Sequence, residues 1–391
     1  MSMKPFIKWP GGKEKEVKII SECFPKTFDK YFEPFVGGGA VYFSLDKDKY
    51  LYVDKYINDI SKELTNLYNF IKEKNIVFFD SIKKIQKNWD ILEQVIEKHS
   101  YEFLNYYNEY LNEKINLAEL KNELKKFIDI NENDFNGVMK DKEFNPCIDL
   151  FKKNINDYVC RRFKRLKELS KYTNLKEKDI LNSIETALKG SFYNHYRYIY
   201  NNKDKNDKIK IKSEFASAIY YFIRENCYSS MFRYNSNGDF NIPYGGMAYN
   251  KKIFTSKIND ELCNYLSNTI IENMDFMCFL EKYKPKRKDF IFVDPPYDSD
   301  FSKYANSDFL KKDHERLCKI LSNTTAYVMI VIKKTDYIFE LYKNNGFYIY
   351  EFNKKYLVNC KNRNKRDAIH LIITNYEISN ESLEENLTKV C

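Results

Sequence analysis

The sequence predicts an α/β fold in which a Rossmann-like sheet domain is interrupted by a large, mainly helical insertion. Strand and helix patterns alternate at both ends of the 391-residue chain, which is typical of a parallel sheet covered by helices. Between residues 76 and 190, by contrast, Gly and Pro nearly vanish and apolar side chains recur at helical spacing. We therefore assign residues 1–75 and 285–391 to the sheet domain and residues 76–284 to the insertion.

The first 75 residues predict two strands, each followed by a helix. The elements are, in order, a strand over 31–36, a glycine turn over 37–39, a helix over 40–45, a second strand over 50–53 or 56–57 that ends near Asp59, and a helix with Leu64, Leu67, Tyr68 and Ile71 on one face. This strand–turn–helix order is the beginning of a Rossmann-like sheet.

The insertion predicts several helices followed by a turn-rich segment. One stretch, from Lys152 to Lys167, carries seven cations and fits either a solvated helix face or a face that contacts phosphates. Residues 203–210 read as an exposed loop, residues 213–225 as a helix, and residues 226–246 as turns. The strand pattern returns after residue 285, over 290–293, 327–332, 348–352 and 369–374.

The composition favours an anionic partner. The net charge is +9, and the chain has 33 Tyr and 30 Phe, a combination that suits phosphates and stacked bases. No CxxC pair and no metal-ligand spacing of the four His occurs, so we expect no metal. No signal peptide or long apolar span is evident, so we expect a cytoplasmic protein without a membrane partner.

The segment with the most specific chemistry is Asp294-Pro295-Pro296-Tyr297, which follows the apolar run 290–293. The Asp294 carboxylate and the carbonyl before the second proline can accept both hydrogens of an exocyclic amine, and Tyr297 can stack on the ring that carries it. The prolines remove two backbone donors and fix the turn. Such a site suits methyl transfer to the amino group of adenine or cytosine.

Two glycine-containing segments predict a nucleoside-like ligand. Three glycines, Gly37, Gly38 and Gly39, follow the first strand and let a ligand approach the backbone closely. Gly11-Gly12-Lys13 resembles a P-loop only superficially, since Glu14 stands where Ser or Thr is required. Trp9 and Lys13 can instead wall an adenosine-like ligand and contact its carboxylate.

An acid lies about twenty residues after the three glycines. Asp59, at the end of the second strand, is placed to hold ribose hydroxyls, with Asp54 as a rival. Because the glycine pattern is not GxGxxG, S-adenosylmethionine is favoured over a dinucleotide.

Together these motifs resemble the Dam family of adenine DNA methyltransferases, in its α arrangement of cofactor motifs, target recognition and then the catalytic motif. The matching segments are Phe-x-Lys-Trp-x-Gly-Gly-Lys from Phe6, Glu-Pro-Phe-Val-Gly-x-Gly from Glu33, Asp-Ile-x-x-Glu-Leu from Asp59, Arg-Tyr-Asn…Phe-Asn-Ile-Pro-Tyr-Gly within 232–245, and Asp-Pro-Pro-Tyr from Asp294. The resemblance implies a methyltransferase sheet and an inserted target-recognition domain, with a DNA-binding hairpin over 226–246.

The resemblance also implies a role for individual residues. Cofactor binding is implied for Trp9, Gly11, Gly12, Lys13, Glu33, Phe35, Gly37, Gly38, Gly39, Asp59 and Asp294; catalysis for Asp294, Pro295, Pro296 and Tyr297; DNA contact for Lys8, Tyr228, Ser229, Arg233, Asn235 and Asn241. Tyr228 would wedge into the gap that a flipped adenine leaves in double-stranded DNA, and Arg233 would read a base edge. No metal is implied, because the sulfonium methyl group is already activated.

Some features stay open at this level. Ser229-Ser230 stands where relatives usually carry Asn-Gly, which puts base contacts from that position in question. Methylation of cytosine N4 and a catalytically silent DNA-binding protein are the alternative functions. The resemblance allows a restriction endonuclease partner, a monomer or weak dimer, and a nucleoid-associated location in the cytoplasm.

Overall fold

The computed structural model describes residues 3–46, 48–50, 52–135, 137–140, 146–205, 209–231, 233–297, 309–355, 367–378 and 387–391. The chain divides into two compact units. The sheet unit consists of Met1–Glu73 and Asp260–Cys391, and the helical unit of Lys74–Asn259. Residue 51, residues 206–208 and Phe232, which belong to segments interpreted above, lie outside the described residues.

The sheet unit contains one mixed sheet in the order β3-β2-β1-β4-β5-β7-β6-β8. Its strands are β1 Lys30–Glu33, β2 Asp54–Asn58, β3 Thr269–Glu272, β4 Phe290–Val293, β5 Tyr327–Lys333, β6 Tyr348–Lys355, β7 Asp367–Thr374 and β8 Thr388–Lys389. Strands β1 to β5 pair in parallel, whereas β7 is antiparallel to both β5 and β6. The predicted Rossmann-like α/β fold is confirmed.

The helices fall into two groups that follow the division into units. In chain order they are α1 Val17–Glu22, α2 Lys62–Lys72, α3 Ile76–Lys98, α4 Ser100–Leu111, α5 Leu117–Ile130, α6 Gly137–Lys140, α7 Ile148–Ser170, α8 Glu177–Asn202, α9 Ser213–Asn226, α10 Asp260–Leu266, α11 Phe276–Tyr283, α12 Lys311–Ser322 and α13 Asp336–Lys343. Helices α3 to α9 belong to the helical unit.

The core of the sheet unit forms where sequence periodicity indicated it. All four residues of β4 are buried, as expected for a central parallel strand. The predicted apolar face of α2 is fully buried as well, at Leu64, Leu67, Tyr68 and Ile71. Ser61 accepts a hydrogen bond from the Leu64 amide and caps this helix directly after Asp59.

The helical unit has its own aromatic core. Trp89 of α3, Phe192 of α8 and Phe222 of α9 pack with ring centroids 5.3–5.7 Å apart. In the cationic stretch of α7, Lys152 pairs with Asp129 and Glu132, and Lys167 pairs with Glu113. These two cations are therefore used within the unit, which favours the interpretation of this stretch as a helix face over that of a phosphate-binding face.

The structure differs from the sequence predictions at several elements. The insertion ends at residue 259 rather than 284, because α10, β3 and α11 pack with the sheet. Strand β3 escaped prediction since it is a short edge strand with only one buried residue. Of the two predicted positions for the second strand, 56–57 is confirmed, since it lies within β2, and the predicted helix over 40–45 is a single 3₁₀ turn at Tyr42–Ser44. In the predicted hairpin the described residues form two isolated bridges rather than a ladder.

Candidate functional site

The sheet unit contains a cavity of about 340 Å³ at the carboxyl ends of β1, β2 and β4. Ligands of open parallel sheets bind at this edge, where the loops after neighbouring strands diverge. The cavity is lined by all predicted cofactor and catalytic residues: Trp9, Gly11, Gly12, Lys13, Glu33, Phe35, Gly37, Gly38, Gly39, Asp59, Asp294, Pro295, Pro296 and Tyr297. The fold thus brings together four separate segments of the sequence, 9–13, 33–41, 59–60 and 292–297.

The glycine loop after β1 is held by two side chains, Asp59 just after β2 and Tyr68 of α2. Gly37, with φ at 49°, donates its N–H to Asp59 Oδ2 at 3.0 Å, and its carbonyl accepts from the Tyr68 hydroxyl at 3.1 Å. The other Asp59 oxygen accepts from the Ser61 N–H at 2.9 Å. Asp59 therefore fixes both the glycine loop and the start of α2, a structural role that the sequence did not reveal.

Lys13 contacts the residues that the sequence identified as catalytic. Its ammonium group forms an ion pair with Asp294 Oδ1 and donates to the Gly11 carbonyl at 3.1 Å and to the Tyr297 hydroxyl at 3.4 Å. Lys13 is only 1% exposed, and its ammonium lies 5.4 Å from the centroid of the Tyr297 ring. One buried cation thus ties the glycine segment near the N-terminus to the Asp-Pro-Pro-Tyr corner.

Two further carboxyl groups face the cavity from buried positions. Burial raises the pKa of Asp59 to about 6, although its hydrogen bonds from Ser61 and Gly37 act in the opposite direction. Burial raises the pKa of Glu33 well above its usual value; the Tyr31 hydroxyl, 2.6 Å from Glu33 Oε2, opposes this shift, whereas the charge of Asp294 adds to it. A cation bound in the cavity would stabilise the ionised form of both acids.

Several residues of the site were not predicted from the sequence. Six apolar or small residues complete the lining: Pro10, Val36, Ala40, Val41, Ile60 and Phe292. The hydroxyls of Tyr31 and Tyr68 bond to Glu33 and to the glycine loop. In the sequence both tyrosines occupy apolar-periodic positions and are therefore interpreted as core residues, and in the structure both are fully buried. Because a buried tyrosine needs a partner for its hydroxyl, the prediction that these tyrosines are buried could have indicated that each of them binds a polar group.

The predicted DNA-contacting residues are divided between the units. Lys8 is an exposed residue of the sheet unit and does not line the cavity. The other five lie in residues 226–246 of the helical unit, which we call the reading loop. Tyr228 is 54% exposed, and Ser229 adopts a left-handed conformation with φ at 52°. The left-handed region is most accessible to Gly and Asn, so Ser229 occupies a backbone conformation that serine rarely adopts.

Arg233 and Asn241 form a pair across the reading loop. Arg233 Nε donates to Asn241 Oδ1 at 3.0 Å, and the Asn241 N–H donates to the Arg233 carbonyl at 3.2 Å. The Asn235 side chain instead accepts from the N–H groups of Asn237 and Asp239, at 3.0 and 2.9 Å. Asn235 therefore organises the turn with its oxygen, while Arg233 remains exposed.

The described part of the chain lacks a metal-binding cluster and a membrane-spanning helix. Within it, no group of three His, Cys, Asp or Glu side chains is placed to hold a metal ion. No helix there is long and apolar enough to cross a membrane.

Known proteins resemble the chain along most of its length. A family model described as D12 class N6 adenine-specific DNA methyltransferase matches residues 9–170 and 148–358. Type II methyltransferase M.CviBI of Paramecium bursaria Chlorella virus NC1A is 27% identical over 378 residues, 96% of this chain and 100% of the viral protein. Type II methyltransferase M.MjaIII of Methanocaldococcus jannaschii is 28% identical over 391 residues, again 96% of this chain and 100% of the relative.

A shorter match links the chain to a methylase of a different size. The DNA adenine methylase of Haemophilus influenzae is 34% identical over 82 residues, which are 21% of this chain and 27% of that protein. The two type II methyltransferases, by contrast, extend over nearly the whole chain and so include most of the helical unit.

Proposed function

The chain belongs to the D12 class of N6 adenine-specific DNA methyltransferases, and on this premise we propose that the cavity of the sheet unit holds S-adenosylmethionine beside the flipped target adenine. The enzyme methylates adenine N6 in DNA, as the sequence predicted, so adenine is preferred to the cytosine alternative. The observation that carries the proposal is that the glycine loops, Lys13 and the Asp294–Tyr297 corner line a single cavity.

The charges in the cavity support S-adenosylmethionine as the donor. When bound, this molecule supplies a methyl group already activated by a sulfonium cation. Glu33, Asp59 and Asp294 are acids that complement its two cationic groups, and Lys13 complements its carboxylate. A Cβ at any of the three glycines would collide with protein atoms, at Gly38 with the Ile7 carbonyl at 3.0 Å, so only glycine lets the loop take this course along the cavity.

We assign the amine of the adenine to Asp294. Its carboxylate accepts one amine hydrogen and the Pro295 carbonyl the other, so that the nitrogen lone pair is directed away from both. Tyr297 stacks on the base, a contact worth about 1–3 kcal/mol in other base–aromatic stacks. Positive charge develops on the nitrogen during transfer, and Asp294 stabilises it without a strong base. Because Lys13 already forms an ion pair with Asp294, the amine either binds the same carboxylate together with Lys13 or displaces Lys13 from it.

Photochemical crosslinking tests the location of the cofactor independently of catalysis. The enzyme is irradiated with labelled S-adenosylmethionine, digested, and its labelled peptides are sequenced. We expect label within residues 9–13, 33–41 or 292–297, and competition by unlabelled cofactor. Saturable label confined to other segments would contradict the proposed site, even for an active enzyme.

The affinity for S-adenosylmethionine should depend on pH through Asp59. Its pKa is raised to about 6 by burial, so the carboxylate that would accept ribose hydrogen bonds is ionised above that pH and protonated below it. We expect protonation of Asp59 to raise the Kd, measured by calorimetry, by up to about tenfold per pH unit below pH 6. In Asp59→Asn the Kd should be higher and the part of this dependence that comes from Asp59 should be lost, leaving that of Glu33; retention of the full dependence would exclude Asp59 as its source.

We propose that the reading loop recognises double-stranded DNA, with Tyr228 as the wedge and Arg233 as a base reader. The exposure of both side chains supports these roles. Asn241 is assigned the task of orienting Arg233, on the basis of their two hydrogen bonds. Flipping the adenine out of the duplex costs a few kcal/mol, which the wedge would offset in part.

Removal of the Arg233 side chain should relax sequence choice. A base contact of this kind is worth about 1–3 kcal/mol of discrimination. We therefore expect the ratio of methylation at sites with one altered base to methylation at the preferred site to be about 10- to 100-fold higher in Arg233→Ala than in the wild-type enzyme. Long-read sequencing of a random DNA library methylated in vitro gives this ratio. Arg165→Ala, which removes an exposed arginine from α7, is the control for lost charge and should leave the ratio unchanged.

The biological setting is proposed from the relatives alone. The name "type II methyltransferase" of two full-length relatives supports a restriction endonuclease as a partner. We also propose a monomer or weak dimer that acts on chromosomal DNA in the cytoplasm. Co-purification of an endonuclease that cuts unmodified DNA at the same sequence would test the partner directly.

A further inference from the structure

One face of α8 lies along residues 237–242 of the reading loop, which we call its returning arm. Four side chains at intervals of four residues contact this arm: Tyr193, Arg197, Asn201 and, just beyond the helix, Lys205. Their spacing places them in a row on one side of a helix. We call these four residues the α8 row.

Each member of the α8 row binds the backbone or a turn side chain of the loop. The Tyr193 hydroxyl and Arg197 Nη1 both donate to the Ile242 carbonyl, at 2.9 and 2.6 Å. Lys205 donates to the Asn237 carbonyl at 3.3 Å and forms an ion pair with Asp239. The row therefore contacts the loop from residue 237 to residue 242.

Asn201 makes the most specific contact of the row. Its amide nitrogen donates to the Phe240 carbonyl at 3.0 Å, and its amide oxygen accepts from the Phe240 N–H at 3.0 Å. A side-chain amide thus replaces the partner strand that Phe240 would have in a sheet. Phe240 itself is 1% exposed, so an unsatisfied backbone group there would be costly.

The arm that the α8 row contacts is also the arm to which Arg233 is hydrogen-bonded. Phe240 bridges to Tyr234, and the next residue, Asn241, exchanges two hydrogen bonds with Arg233. A displacement of the returning arm would consequently displace the arginine. Because the loop has isolated bridges rather than a ladder among its described residues, α8 supplies much of its order.

We propose that the α8 row positions Arg233 and Asn241 and thereby determines sequence specificity, although its members act through the loop rather than on the bases. The proposal rests on the proposed role of the reading loop in DNA recognition. It assigns the helical unit a definite task, which is to hold the reading loop in the conformation that fits the preferred sequence.

Weakening the α8 row should reduce the affinity for the preferred sequence without reducing the affinity for DNA in general. When the row is weakened, the loop spends less time in the binding-competent conformation, and the apparent affinity for the preferred sequence falls in proportion to that fraction. Contacts with phosphates do not need this conformation, so the affinity for unrelated DNA stays the same.

The experiment compares two neighbouring asparagines of α8. Asn201→Ala removes both hydrogen bonds to Phe240, whereas Asn202→Ala removes an amide that donates to the Tyr198 carbonyl of the same helix, at 2.9 Å. The preferred site is first identified by sequencing of DNA methylated by the wild-type enzyme. The Kd values for a duplex with that site and for an unrelated duplex are then measured for each variant, together with the Kd for S-adenosylmethionine.

We expect Asn201→Ala to reduce the preference for the site about five- to thirtyfold, as the loss of two hydrogen bonds implies, with cofactor affinity unchanged. Asn202→Ala should retain the wild-type preference. Arg197→Lys keeps the charge and should give a smaller loss of preference, which serves as the test if Asn201→Ala does not fold.

Two results would overturn the proposal. One is an unchanged preference in folded Asn201→Ala and Arg197→Lys; the other is an equal loss in Asn202→Ala. Arg233→Ala separates this failure from that of the proposed function. If Arg233→Ala relaxes the preference and the α8 variants do not, only the positioning role is wrong, whereas an unchanged preference in Arg233→Ala contradicts the reading role of the loop itself.

Discussion

Replacement of Asp294 by asparagine is expected to reduce methyl transfer at least about 100-fold, the usual cost of removing one preorganised electrostatic contact at a reacting centre. The substitution preserves shape and one acceptor oxygen but removes the negative charge that stabilises the amine as it becomes positive. Single-turnover measurements, with enzyme in excess over DNA, isolate this chemical step from product release. Binding of duplex DNA should persist, because phosphate contacts do not involve this residue.

The same exchange at Asp336 provides the matched control. Asp336 is an exposed residue in the first turn of α13 and lies outside the cavity lining. Asp336→Asn should therefore retain the wild-type rate. Since Asp294→Asn also removes the ion-pair partner of buried Lys13, thermal unfolding must accompany the kinetics. A folded Asp294→Asn enzyme with a nearly normal single-turnover rate would refute the catalytic assignment.

A methyl group at Gly39 should nearly abolish S-adenosylmethionine binding. The residue has φ at 72°, and a Cβ there would lie 2.7 Å from the Tyr68 hydroxyl and 2.8 Å from the Phe43 ring. Both side chains are fully buried and have no room to move. Tyr68 also holds the Gly37 carbonyl, so its displacement would shift the whole loop that lines the cavity. We expect the Kd for the cofactor, measured by calorimetry, to rise at least about 100-fold in Gly39→Ala.

Gly346 separates backbone strain from steric conflict. It has a similar φ of 78°, but a Cβ there would meet nothing within 4 Å. Gly346→Ala should therefore lose about 1 kcal/mol of stability, the cost of a left-handed alanine, and bind the cofactor normally. If Gly39→Ala binds the cofactor as well as Gly346→Ala does, the glycine loop does not form the binding surface.

The candidate site was predicted from the sequence to an unusual extent, for a specific physical reason. A parallel sheet collects the carboxyl ends of its strands at one edge, so residues that directly follow apolar runs, such as Gly37, Asp59 and Asp294, must converge. The apolar runs themselves were readable, and β4 begins and ends where it was predicted. Chain order, local periodicity and the family resemblance together identified most of the residues that line the cavity, but not Pro10, Val36, Ala40, Val41, Ile60 and Phe292.

Elements with weaker periodicity were not predicted correctly. Strand β3 is an edge strand with an exposed face, and it joins the sheet only because it pairs with β2. The segment after Gly39 forms only a short turn instead of the predicted helix. The buried rings of Tyr42 and Phe43 determine its conformation. Such elements are decided by packing, which overrides the local preference of the chain.

By itself, the sequence determined the order of the motifs along the chain and the family, and it predicted the chemistry of the Asp-Pro-Pro-Tyr corner, because these depend on residue type and spacing. Only the tertiary structure decided that Lys13 contacts Asp294, that Asp59 holds the glycine loop, and that α8 supports the reading loop. Each of these is a hydrogen bond or ion pair between distant segments. Periodicity records how deeply a residue is buried, but the partner that satisfies a buried polar group is chosen by the folded geometry.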